Sequence, residues 1–81
     1  MPTIFRTRQG WAVRIYPNDH RPPHVHVVSP KAQARFELLC DLNSVRLIDN
    51  FGYSLAQLNS IAEQLTLRVP TLCKKWEEIH G

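Results

Sequence analysis

The chain has 81 residues, 43% of them apolar and 21% charged. That balance fits one small globular domain, residues 1–81, and excludes a disordered chain. No apolar run approaches the ~20 residues that span a bilayer, and the start lacks the layout of a secretory leader, so a cytoplasmic protein without membrane contact is expected.

The formal net charge is +3, and it is uneven. Through Arg46 there are seven basic residues (Arg6, Arg8, Arg14, Arg21, Lys31, Arg35, Arg46) against three acidic ones (Asp19, Glu37, Asp41). From Leu47 onward the balance is slightly acidic. A phosphate-rich or acidic partner suits the first part, although a merely solvated basic surface fits as well. Cys40 and Cys73 are far apart and in no metal-type pair, and read as small buried hydrophobes rather than a disulfide.

In chain order, Thr3 to Phe5 is β-prone, and Arg6 to Gly10 reads as a turn closed by glycine. Trp11 to Tyr16 alternates, with Trp11, Val13 and Ile15 on one face, and Pro17 ends it. Asn18 to Pro23 is a loop. His24 to Val28 is a strand, Ser29 to Lys31 a turn, and Ala34 to Leu39 a further alternating strand. After a turn at Asp41 to Ser44, Val45 to Ile48 is the last strand. The period then changes. Ser54 is a good N-cap with Gln57 as its capping-box partner, and Leu55, Leu58, Ile61, Ala62 and Leu65 follow helical spacing. Val69 is biased away from helix by Pro70, which suits the first turn of a second helix carrying Leu72, Trp76 and Ile79 as its stripe.

The expected fold is therefore α+β. A small antiparallel sheet of four to five strands, over about 3–48, precedes two C-terminal helices, about 54–68 and 70–80, packed on one face. The covered face holds Trp11, Val13, Ile15, Val25, Val27 and Phe36. By the two-residue period the open face holds Arg14, Tyr16, His24, His26, Arg35 and Glu37, unless a bulge at Pro17 or Pro30 shifts a strand. Trp11 and Trp76 read as core, Lys74 and Lys75 as a solvated face, and His80 as idle.

The densest chemistry lies in Asp19-His20-Arg21-Pro22-Pro23-His24-Val25-His26-Val27. Three readings stay open. In the first, His20, His24 and His26 with Asp19 transfer protons in metal-independent RNA cleavage. Arg14, Arg21 and Arg35 then hold phosphate, Tyr16 stacks on a base, and Glu37 orients an imidazole or acts as the base. In the second, His20, His24 and His26 (H-x3-H-x-H) ligate zinc or another divalent ion, with Asp19 fourth or behind them. In the third, the histidines are structural, Asp19 caps a turn, and the face docks a protein.

The string Asp19-His20-x-Pro22-Pro23-His24-x-His26-Val27, the start Met1-Pro2-Thr3-Ile4, the strand ending in Ile15-Tyr16 and the closing helices with Leu72 and Trp76 resemble a family of small bacterial proteins, the domain-of-unknown-function family DUF4160. Where members of that family often have an aromatic residue between the strand histidines, this chain has Val25. The resemblance implies a setting more than an activity: a toxin–antitoxin-type gene pair whose cognate small protein is encoded by the adjacent gene. It implies either a toxin-like member acting on RNA through Asp19, His20, His24 and His26, or a non-enzymatic, partner-binding or DNA-associated regulator.

Overall fold

The computed structural model describes residues 3–80; the Met1-Pro2 part of the start, and Gly81, lie outside them. Strands β1 (Thr3–Arg6), β2 (Ala12–Arg14), β3 (His24–Ser29), β4 (Ala32–Leu39) and β5 (Ser44–Phe51) precede helices α1 (Leu55–Thr66) and α2 (Val69–His80). A short 3₁₀ turn, Cys40–Leu42, joins β4 to β5. The strands form one antiparallel sheet in sequence order, so the α+β architecture is the one expected.

The two-faced pattern holds at the centre of the sheet. Val13 pairs with Val27, and Val25 with Phe36, and paired residues share a face. Val25 and Val27 are 0% exposed. They join Val13, Ile15, Phe36 and Leu38 in one core with Ile61 and Leu65 of α1 and Leu72 and Trp76 of α2. Each buried aliphatic side chain contributes about 1.5–3 kcal/mol. This face holds the strands in place while the other carries polar groups.

Several boundaries differ from the expectation. β2 is short because Tyr16 leaves the ladder: its N–H donates to the Asp19 carboxylate and its carbonyl accepts from the Asp19 N–H. β5 runs on to Phe51 because the register shifts between Arg35 and Phe36, where Asp49 and Leu47 are the partners and Ile48 is extra. The irregularities thus fall at β5 and within β1, not at Pro17 or Pro30. Ser54 and Gln57 form the capping box, but Leu55 is 73% exposed and leaves the stripe. Gln64 is buried on α1 instead, accepting from the Arg8 N–H and donating to Gln9 and Ser60. Val69 opens α2, with Pro70 in its first turn. Trp11 is half-buried at the rim of the core, against Tyr53. None of the described helices is long and apolar enough to cross a membrane.

The cysteines correct the reading above. Cys40, exposed, and Cys73, half-buried, form a disulfide with Cα atoms 6.2 Å apart. It ties the turn after β4 to α2. Closing a loop over a sequence separation of 33 residues restricts the unfolded chain by about 3–4 kcal/mol. Reduction, or Cys73→Ala, should lower the unfolding free energy by about that amount, read from urea midpoints with and without reductant.

The β5–α1 connection depends on Gly52. Its φ is +97°, and an added Cβ would lie 2.8 Å from the Lys31 carbonyl oxygen and 3.0 Å from the Ala32 Cβ. Next to it the Asn50 side chain brackets the Tyr53 backbone, accepting from its N–H and donating to its carbonyl. Gly52→Ala combines backbone strain with a clash and should cost about 2 kcal/mol or more, seen as a lower thermal midpoint.

Candidate functional site

The site is built around the loop between β2 and β3. Asp19 turns the chain there through the two reciprocal bonds with Tyr16 at 3.2 and 3.1 Å, the capping role its side chain is suited to. Further along, the Arg21–Pro22 peptide bond is cis, and the Pro23 carbonyl accepts from the Leu38 N–H at 2.8 Å. That Pro23–Leu38 bond draws the loop back toward β4. This brings Asp19, not His20, onto the strand histidines. His20 stays exposed on the loop.

The same Asp19 oxygen, Oδ2, faces both imidazoles. His26 Nε2 donates to it at 3.1 Å, with Oδ1 at 3.3 Å. His24 Nε2 lies 3.5 Å away. His24 Nδ1 is 2.9 Å from the Pro22 carbonyl oxygen. A carbonyl only accepts, so this Nδ1 carries the proton, and the Nε2 of neutral His24 points a lone pair at the carboxylate. One donor atom each from Asp19, His24 and His26 lies within 4.8 Å of the others. The two rings meet edge to face, 5.2 Å between centroids.

His24 does not stand on an open face as expected. It is 8% exposed, held by Pro22 and with its ring 5.4 Å from Trp76 of α2. His26 is half-buried, with Tyr16 edge-on at 4.6 Å. Burial pushes the His26 pKa below its ordinary value, against the opposing pull of Asp19, while neighbouring His24 and Arg35 add to the lowering.

Register places two rows across the polar face. Arg14, His26, Arg35 and Asp49 follow one another from β2 to β5, and His24, Glu37 and Arg46 form the next row. Arg35 is held by Asp49, and Arg46 by Glu37, which is therefore tied up rather than orienting an imidazole. Arg21 reaches away to Glu77 of α2 at 3.1 Å. Arg14 makes a long bond to the Thr3 hydroxyl at 3.4 Å, and no carboxylate among the described residues pairs with it.

Two open clefts flank the cluster. One, of about 450 Å³, is lined by Asp19, His20, His24, Arg35, Glu37 and Arg46 among others. The other, of about 310 Å³, is lined by Tyr16, His26, Gln33, Arg35, Asp49 and Phe51 among others. Phe51 is 66% exposed, a more accessible ring than half-buried Tyr16. Its aromatic position before Gly52 at the end of the edge strand was the signal for it. His80 is not idle: it stacks on Trp76 at 3.7 Å and donates from Nδ1 to the Trp76 carbonyl at 3.2 Å.

A small antiparallel sheet backed by two helices, with a carboxylate and two imidazoles converging at one end, defines this as a compact α+β protein built around a histidine–aspartate cluster. The chain matches the family model described as "Domain of unknown function (DUF4160)" over residues 10–77, and it belongs to that family. The comparison with curated proteins and that with solved structures each give no match.

The pKa direction of His26 makes stability depend on pH. Its folded pKa lies below the ordinary 6.5, so the unfolded chain takes up the proton first. The contribution of neutral His26 is fully present above pH 6.5 and is lost as pH falls toward the folded value. Urea midpoints should hold from pH 7.5 to about pH 6.5 and decline from there to about pH 5, and His26→Gln should flatten that decline.

Proposed function

We propose that this chain is the toxin-like member of a bacterial two-gene module and acts on RNA at the Asp19–His24–His26 cluster. The observation that carries the reading is the Arg14–His26–Arg35 row, in which the sheet register sets a histidine between two arginine positions and a carboxylate accepts from its ring. Phosphodiester cleavage needs a neutral base beside cations. The lowered pKa keeps His26 neutral near pH 7.

In this reading His26 donates Nε2–H to Asp19, which leaves Nδ1 as the basic nitrogen. That nitrogen takes the 2′-hydroxyl proton as the 2′-oxygen attacks phosphorus. The 5′-oxygen leaves with a proton from His20, which lines the neighbouring cleft that shares Arg35, and the product is a cyclic phosphate. Arg14, without a carboxylate partner, binds the phosphate; Arg35 joins it by exchanging Asp49 for a phosphate oxygen. Phe51 offers a face for a base. Arg21, engaged by Glu77, fixes the loop and binds no phosphate in this account.

The test uses the disulfide-intact protein, labelled single-stranded RNA and excess chelator. Wild type should cut the RNA, His26→Gln should lose about a hundredfold or more in rate, and Arg14→Ala should bind RNA more weakly. Induced expression should slow bacterial growth, with relief by the adjacent gene's product. Wild-type protein that neither cuts RNA nor slows growth contradicts the reading and leaves the partner-binding alternative.

A further inference from the structure

We propose that Asp19, His24 and His26 also form a binding site for a divalent transition-metal ion of the zinc class. The site differs from the H-x3-H-x-H set read in the sequence, because Asp19 takes the place of His20. The proposal goes beyond the acid–base reading and does not depend on RNA cleavage.

The first argument is the direction of the lone pairs. In the neutral ring the Pro22 carbonyl fixes His24 in the Nδ1–H tautomer, which turns the Nε2 lone pair toward Asp19 Oδ2. Two electron-rich atoms 3.5 Å apart, with no proton between them in neutral His24, repel each other. A cation placed among Asp19, His24 and His26 would turn this conflict into attraction. A backbone carbonyl on the other ring nitrogen is the arrangement that orients metal-ligating histidines.

The second argument is size. Two donors about 2.1 Å from an ion and at the tetrahedral angle of about 109° lie about 3.4 Å from each other. Asp19 Oδ2 stands 3.1 Å from His26 Nε2 and 3.5 Å from His24 Nε2. The donor atoms of the trio all lie within 4.8 Å of one another, so a small inward movement of the ligands completes the site. The donor set, two imidazoles and one carboxylate, suits zinc, iron(II), cobalt or manganese over calcium or magnesium. Three protein ligands leave further positions open toward the cleft that holds Glu37 and Arg46. Bound ion and the Asp19–His26 hydrogen bond exclude each other, so metal-loaded and metal-free proteins differ chemically at the proposed reaction centre.

The experiment is calorimetric titration of untagged, chelator-stripped, disulfide-intact full chain with Zn²⁺ alone, paired with thermal unfolding. One equivalent should bind. At free Zn²⁺ about a hundred times Kd, the thermal midpoint should rise by roughly 10 °C or more. Asp19→Asn and His26→Gln should each weaken binding at least tenfold, and His20→Ala should leave it unchanged. The unfolding midpoint of each metal-free variant shows whether it is folded. Absence of binding by wild type, unaltered affinity in folded Asp19→Asn, or loss of binding in His20→Ala overturns the site. RNA cleavage in chelator is scored separately: cutting without metal binding sinks this proposal alone, and metal binding without cutting sinks the RNA reading alone.

Discussion

The carboxylate of Asp19 is the interaction on which the site depends. It accepts from the Tyr16 backbone and from His26, and it stands opposite His24. One group thus turns the chain out of β2, brings the loop over β3 and sets the electrostatic surroundings of both imidazoles. A neutral side chain of similar shape could keep part of the turn but not the field. The capping and chemical readings of Asp19 are compatible because they use the same carboxylate.

The apolar face gives that cluster a rigid base. Val25, between the two histidines, is wholly buried, so a shift of β3 by one residue would exchange valines and imidazoles between the faces. The helices and the Cys40–Cys73 bridge hold the layer beneath. On the polar face, Arg35–Asp49 and Arg46–Glu37 link β4 to β5. Such exposed pairs add little stability each. Their larger effect here is to engage most of the guanidiniums, leaving Arg14 without a carboxylate partner among the described residues.

Much of the fold was legible because its signals are local. Alternation at Val13, Val25, Val27 and Phe36 reports strand faces, and Ser54 with Gln57 reports a helix start. What was not legible depends on distant contacts. The Cys40–Cys73 bridge needs α2 packed near the β4 turn. The burial of Gln64 needs the Arg8 backbone across the fold, which no helical spacing reports. At the site, the motif marked the right segment but not its internal geometry. Counting histidines favoured His20, whereas the loop's backbone bonds bring in Asp19. Asp49 and Phe51 were missed because the extra residue Ile48 carries β5 further than the pattern of Val45 to Ile48 implies.

The most direct test of the account is the protonation of the two strand imidazoles, measured by long-range ¹H–¹⁵N NMR on metal-free protein near pH 7.5. The account predicts His24 protonated on Nδ1 and His26 protonated on Nε2, with the His26 assignment altered by Asp19→Asn and that of His24, held by the Pro22 carbonyl, retained. Rings that exchange freely between tautomers, or a His26 ring that ignores the loss of the Asp19 charge, would contradict it.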